Sequence, residues 1–413
     1  MNDREVTPRS IAAAVGAWVG LLVSANAMVS ATNSNFMKPL ADAFGVNRMA
    51  ISAALSIGPL VVAIAVPLTG RARDRFGLRR VLIPGAVLFA LMFLAMSQAT
   101  TIWHYALLQV PLSIASALHS PVGYAKLISL WFDRWRGLVL GLIVALGAGV
   151  GQTTMPHVSR WLIESYGWQR GYQGIGLIVL VIGVPLLFLL VREPSAAPAG
   201  GAGQDAAAPR PAELPGVTWR EALGRPAFWC IFFGIMLGSM TLLGTLQHGV
   251  PLLSEHGYSV KDATTALSFT FAGVVTGQLL SGVLVNQINT PKIVVPFFVA
   301  ALAGLLIVHT LHGSAGTMPL YGGALLMGLG LGGEVAQNAY LCSRYFGLKS
   351  FGAIYGTTFA ASNIGIAIGV ITAGKVHDLA GSYDPMRPIF GVLMAISVLC
   401  IALLGPYVYA RRT

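Results

Sequence analysis

The sequence predicts an all-α membrane protein of twelve transmembrane helices arranged as two six-helix bundles. Three observations carry this. Of 413 residues, 55% are hydrophobic and only 10% charged, and the mean hydropathy is +0.72, whereas soluble domains are about a quarter charged. Apolar runs close to the ~20 residues that cross hydrocarbon recur along the whole chain, with short polar links between them. The second half also repeats the first at two near-equal spacings. Pro39-Leu40 matches Pro251-Leu252, Gly45 matches Gly257, and Ala54-Leu55-Ser56 matches Ala266-Leu267-Ser268. Gly137, Gly141 and Ala145 match Gly352, Gly356 and Ala360. Each unit holds an even number of spans, so the copies share one orientation, related by an axis along the membrane normal.

Taken in order, Met1–Arg9 is a polar, basic tail and Ile11–Met37 the first span. That span is too long and too rich in Asn and Ser for a signal peptide. The others are Met49–Thr69, Val81–Ser97, Tyr105–Phe132, Gly137–Leu162, Gly171–Val191, Ala227–Leu253, Ala263–Asn286, Ile293–Leu311, Pro319–Cys342, Gly352–His377 and Pro388–Tyr409. Between the second and third lies Gly70-Arg-Ala-Arg-Asp-Arg-Phe-Gly-Leu-Arg-Arg80. Its arginines cannot sit in hydrocarbon, so it is a tight loop, and the positive-inside bias puts it in the cytoplasm. With twelve spans, most of the 26 Lys and Arg residues fall on that side, and both termini join them. The protein is thus expected in the cell (plasma or inner) membrane. Pro194–Pro215, built of Ala, Gly and Pro, reads as a flexible linker. The expected division is 1–192, a linker at 193–222, and 223–413.

The composition excludes several functions. The net charge of +11 is placed in loops of a membrane protein, so no nucleic-acid partner is implied. Cys230, Cys342 and Cys400 are far apart and show no metal or disulfide spacing. Gly147-Ala-Gly-Val-Gly151 is not followed by Lys-Ser/Thr and is no phosphate loop. No cofactor, metal or enzymatic nucleophile is expected.

A polar group in hydrocarbon must be paired or face a cavity, and this rule selects candidate residues. Glu334 lies about ten residues, roughly 15 Å at helical rise, from the nearer end of its span, close to the midplane. Gln337 and Asn338 share its face at i+3 and i+4. Glu334 is the candidate proton carrier. His119, near the middle of the fourth span, has the chemistry for proton coupling or for helix packing. Lys126 is seven residues on; it either meets an anionic solute or snorkels to the interface. Asn26, Ser30 and Asn33 form an inward face of span one. Thr241, Thr245 and His248 do so on span seven, with Gly244, Gly249 and Pro251 nearby to bend its outer end. Gln152 on span five and Asn363 on span eleven complete the solute-binding candidates. For each, helix-to-helix hydrogen bonding is the plain alternative.

The Gly70–Arg80 loop resembles the G-x-x-x-D-R-x-G-x-R-R signature of the major facilitator superfamily, carried here by Gly70, Asp74, Arg75, Gly77, Arg79 and Arg80. The resemblance covers the whole chain. It implies the major facilitator fold, one central solute cavity, and transport by alternating access. It also implies a gating role for Gly70, Asp74, Arg75, Gly77 and Arg80, as a charge network that latches the cytoplasmic face and favours the outward-open state. In the repeated copy Asn286-Gln287 replaces Asp74-Arg75, so this network is asymmetric. Trp131-Phe-Asp-Arg-Trp-Arg-Gly137 and Ser343-Arg-Tyr-Phe-Gly-Leu-Lys349 look like signatures of the monocarboxylate and oxalate/formate transporter group. The eighth span, however, has no Lys or Arg where that group carries a substrate-gripping arginine.

The expected function is secondary active transport of a small, monocarboxylate-like organic anion, by proton coupling or exchange, in a monomer whose partners are the solute, protons and the bilayer. The alternative is a proton-coupled efflux antiporter for apolar or cationic compounds, although Gly151 is followed by Gln152 and not by the Pro of the drug/proton antiporter pattern. A solute sensor is a third class, but the linker and tails are too short for an output domain.

Overall fold

The computed structural model describes residues 7–132, 136–192, 216–288, 290–347 and 349–409. The side chains of Asp74, Arg136–Leu138 and Asn286 lie outside the described set, as does nearly all of the expected linker. Among the described residues the chain crosses the layer of helices twelve times. Eight stretches are long and apolar enough to span a membrane outright.

The first crossing is not continuous, contrary to expectation. α1 (Pro8–Leu22) starts on a Thr7–Ser10 capping box with Pro8 in its first turn, where a missing N–H is harmless. It stops at Val23. A π-helical turn, Asn26–Ser30, follows, and then α2 (Asn33–Phe44). Ser, Asn and Thr side chains here compete with the helix for backbone groups; the Thr32 hydroxyl donates to the Met28 carbonyl at 2.7 Å. α3 (Arg48–Phe76) and α4 (Leu78–Met96) are joined by one residue, Gly77, at φ 88, ψ 157. Only glycine adopts that conformation readily, so the signature's Gly77 is required by the reversal itself.

The fourth crossing is also split, into α5 (Ile102–Leu118) and α6 (Pro121–Trp131), with His119 and Ser120 between them. Pro121 cannot donate to the Ala117 carbonyl four residues back, and its ring clashes there. The fifth and sixth crossings, labelled α7 together (Arg136–Leu177), are two helices that meet at Gly167, whose backbone (φ 83, ψ 168) is not helical. A π-helical turn (Ile178–Gly183) and α8 (Val184–Leu190) complete the first half.

The end of the expected linker is structured. The Val217 amide donates to the Phe346 carbonyl at 2.9 Å. α9 (Trp219–Leu223), capped by Thr218 and Glu221, is tied to the second half by Trp219 Nε1 and the Thr357 hydroxyl at 3.0 Å. The seventh crossing breaks at His248, between α10 (Pro226–Gln247) and α11 (Gly249–Glu255), as Pro251 demands. There follow α12 (Val260–Gln287), α13 (Val295–Thr310), α14 (Thr317–Phe346), α15 (Phe351–Ala380) and α16 (Met386–Ala402).

Each half is built around buried apolar residues, almost all its own; Ala31 of the first half joins the cluster of the second, and Val370 of the second joins one of the first. In the second half α12 and α14 meet backbone to backbone. Cβ atoms at Gly273 and Gly277 would run into the Leu325 and Leu329 carbonyls; one at Gly328 would strike the carbonyl oxygen of Thr270. Small residues at such spacing let helices approach where lipid supplies no hydrophobic drive. Gly328→Ala is therefore expected to destabilise the detergent-solubilised protein by about 1–3 kcal/mol, read as a lowered thermal midpoint. An unchanged midpoint would refute the close approach.

The two halves touch mainly through α3 with α15, α7 with α12 and α2 with α11, and α2 also meets α10. One face carries Gly77, the start of α1, Arg192 and α9, and is called the arginine face below; the opposite one is the far face.

Candidate functional site

The described hydrogen bonds between the halves all lie toward the far face. Asp378, near the end of α15, accepts from the backbone N–H groups of Arg48 (3.1 Å) and Met49 (2.8 Å). These are donors that a helix N-terminus leaves open, and the helix dipole there favours an anion. Asp378 thus caps α3 from the other half of the molecule. The Val250 amide donates to the Ser34 hydroxyl at 2.8 Å, Thr264 donates to Asn35 at 3.2 Å, and Ser268 donates to the Thr153 carbonyl at 2.7 Å. Ser56, which donates to the Ala367 carbonyl at 3.1 Å, is the deepest link of α3 to α15.

His248 belongs to this closure. Its Nδ1 is 2.9 Å from the Tyr383 hydroxyl, and its Nε2 is 3.1 Å from both the Val370 carbonyl and the Ser52 hydroxyl. A neutral ring with its proton on Nε2 satisfies both nitrogens. At the rim, burial first and then the neighbouring His312 hold His256 below the ordinary imidazole range; the Leu311 carbonyl and Asp384 act in the opposite sense. Outside the closure a cavity of about 370 Å³ is lined by Lys38, Arg48, Arg160, Glu164 and Glu255, with Lys38 paired to Asp42 (2.6 Å) and Arg160 to Glu164 (3.0 Å).

Toward the arginine face, the break before Pro121 organises the first half. Arg73, 3% exposed, sends its guanidinium into the break, donating to the Ala117 carbonyl at 3.0 Å and the Ser120 hydroxyl at 2.9 Å. Thr69 donates to the same carbonyl at 3.2 Å. The acceptor that Pro121 leaves without its helical donor is thus taken by α3, as buried carbonyls require. His119, fully buried, sits in the same break. Its Nε2 lies 3.3 Å from the Val23 carbonyl, where α1 ends, and its Nδ1 lies 2.6 Å from the Tyr124 hydroxyl. Gly20 leaves the room that the Tyr124 ring fills. His119 therefore joins two broken helices, and both ring nitrogens are engaged.

Of the signature residues, Arg75 is exposed with its guanidinium 5.3 Å from the Phe76 ring centre, and Arg80 is exposed. Arg79 donates to the Phe188 carbonyl at 2.8 Å. Gly70 lies half-buried within α3. The Asp74 side chain lies outside the described set.

The centre of the second half holds Glu334, 2% exposed on α14. Ser239 on α10 donates to its Oε1 at 2.6 Å, and Ser239 is in turn 2.7 Å from the hydroxyl of Ser362 on α15. Its Oε2 has no hydrogen-bond partner among the described residues. That oxygen occupies the space left by Gly238, where a Cβ would stand 2.5 Å from it.

Gln337 and Asn338 turn to other helices rather than forming one cluster with Glu334. Gln337 donates to Ser281 on α12 at 2.5 Å, and Asn338 accepts from Thr358 on α15 at 2.9 Å. Thr241 donates to the Leu237 carbonyl at 3.0 Å, and Thr245 meets His309 of α13 at 2.9 Å. Asn363 donates back to the Phe359 carbonyl at 2.9 Å. Gln152 and Asn33 are buried, Ser30 is half-buried, and Asn26 and Lys126 are exposed.

Several working residues were not singled out from sequence. Arg73 had one available signal, its position in the signature loop. Asp378, Ser34, Ser239 and Ser362 had none, because each acquires its partner across a long stretch of chain.

The comparisons agree with this architecture. The Major Facilitator Superfamily profile matches residues 19–370. The gallate transporter of Pseudomonas putida is 25% identical over 379 residues, covering 81% of this chain and 82% of that protein. The 3-(3-hydroxy-phenyl)propionate transporter of Escherichia coli K12 is 26% identical over 353 residues, covering 82% and 80%. Among solved structures, that of a mutant of the nucleoside transporter NupG superposes with a TM-score of 0.72 at 14% identity, covering 95% of this chain and 98% of that one.

Proposed function

The chain belongs to the Major Facilitator Superfamily and is a multi-pass membrane transporter rather than an enzyme; from that premise we propose that it carries a small organic anion by alternating access, coupled to protons through Glu334. One observation carries the coupling: a carboxyl buried between α10, α14 and α15, held by a single hydroxyl donor and with its second oxygen unpartnered among the described residues. Burying a charge that incompletely hydrogen-bonded is costly, whereas the neutral acid is tolerated. Such a group can therefore bind and release a proton as the cleft changes its access to water.

The substrate class follows from chemistry and likeness together. Two relatives are named for transport of aromatic carboxylates, so we take aromatic monocarboxylates as the first probes. Asn26, Ser30 and Lys126 have exposed or half-exposed side chains that could meet such a solute, and Gln152 lies buried in the same half. His119, Thr245, His248, Gln337 and Asn338 are engaged with neighbouring helices in this state, and become solute contacts only if alternation releases them.

With the arginine face cytoplasmic, as the positive-inside bias favours, the far-face bonds make this the inward-facing state. Both termini and the 193–222 linker between the bundles 1–192 and 223–413 then lie inside the cell, and a monomer suffices for transport. Asp74, with Gly70, Arg75, Gly77 and Arg80, would latch the arginine face in the opposite state.

The test is uptake of gallate, 3-(3-hydroxyphenyl)propionate and lactate into proteoliposomes with and without an inward proton gradient. Uptake of any of these that rises with the gradient is the expected result. Failure of all three, with extrusion of apolar cations, would replace this reading with efflux antiport.

A further inference from the structure

We propose that Ser239 and Ser362 form the proton path between Glu334 and the cleft between the bundles. This rests on Glu334 being the proton carrier. The three groups stand in line on three helices: Glu334 on α14, Ser239 on α10 and Ser362 on α15, at 2.6 and 2.7 Å. Burial grades along the line, with Glu334 and Ser239 each 2% exposed and Ser362 half-buried. Ser362 is the end that water or solute can reach.

Among the described residues, the other groups around the carboxyl form no second hydrogen-bonded line from it. Gly238 of α10 and Ser397 of α16 lie beside it, but Ser397 donates to the Gly234 carbonyl at 2.6 Å. Neighbouring positions of α14 meet Val274 of α12 and Phe297 of α13. None of these is charged.

A hydroxyl donates one proton and accepts another, so the line works in both directions. On release, which starts with the acid proton on Oε1 and the Ser239 hydroxyl turned to donate to Ser362, the Glu334 O–H bond breaks as its proton passes to Ser239. Ser239 gives its own proton to Ser362, and Ser362 gives its own to water in the cleft. The product is a Glu334 carboxylate accepting from Ser239, and one proton has moved. Uptake reverses each hop. The chain joins α10, α14 and α15, so separation of these helices would break it. Ser239 and Ser362 are positioning residues, since the carried proton rests on Glu334.

The experiment is infrared spectroscopy of the full-length protein reconstituted in lipid, and it needs no transported solute. The protonated carboxyl band lost in Glu334→Gln, between pH 5 and 9, identifies the Glu334 acid. Its shift after exchange into heavy water then times proton exchange with solvent. Ser362→Ala is expected to slow that exchange by at least about 10-fold, Ser239→Ala similarly, and Ser362→Thr to restore it. Were no band lost in Glu334→Gln, the carrier reading itself would fall. A band that is present and exchanges at the wild-type rate in both alanine variants would overturn the path alone.

Discussion

Glu334→Gln is expected to abolish proton-driven accumulation while leaving solute-for-solute exchange at a comparable rate. Glutamine keeps the length and can accept from Ser239 as Oε1 does at 2.6 Å, so the helices should stay seated. What it cannot do is lose a proton. The full cycle then lacks the step that links solute flux to the gradient, whereas exchange needs only the loaded carrier to alternate. The check is paired: gradient-driven uptake and counterflow of the same labelled carboxylate in proteoliposomes. Intact driven uptake in the variant would remove Glu334 from coupling. Loss of both activities would instead assign it to the helix contacts that alternation requires.

Removal of the Asp378 carboxylate should have the largest effect on conformation. It bonds two N–H groups at the start of a 29-residue helix, and anions so placed contribute up to ~2 kcal/mol when partly buried. Asp378→Ala is expected to weaken the far-face closure by about 1–2 kcal/mol, or roughly 5- to 30-fold in the closed-to-open ratio. The measurement is electron-electron spin resonance between labels at Thr100 and Ser314, exposed on far-face loops of the two halves. A longer-distance population should grow in Asp378→Ala and less so in Asp378→Asn, which retains one acceptor oxygen. An unchanged distance distribution would show that the remaining contacts, among them Ser34–Val250 and Ser56–Ala367, hold the face without it.

The sequence and the structure part company where proline and polar residues meet inside a crossing. Pro121 and Pro251 were visible as residues, and a bend near the end of span seven was legible from Gly249 and Pro251. That His119 and His248 would stand at the two breaks, each with both nitrogens occupied, was not. A proline announces which carbonyl loses its donor, but not which distant group replaces it. For Ala117 the replacements are Arg73 and Thr69. Similarly, the spacing of Glu334, Gln337 and Asn338 put them on one side of α14, yet three neighbouring helices divide them. Helical periodicity fixes an angle around one axis and says nothing of which helix stands at that angle.

The family, the all-helical membrane fold, the doubled architecture and a tight turn within Gly70–Arg80 were determined by the sequence alone. Each depends on hydropathy, repetition or a local backbone requirement, and these are properties of neighbouring residues. The far-face closure by Asp378, the capture of the Ala117 carbonyl by Arg73, and the line from Glu334 through Ser239 to Ser362 were decided only in the tertiary structure. In hydrocarbon no water stands in for a missing partner, so polar groups must find one another across helices far apart in the chain.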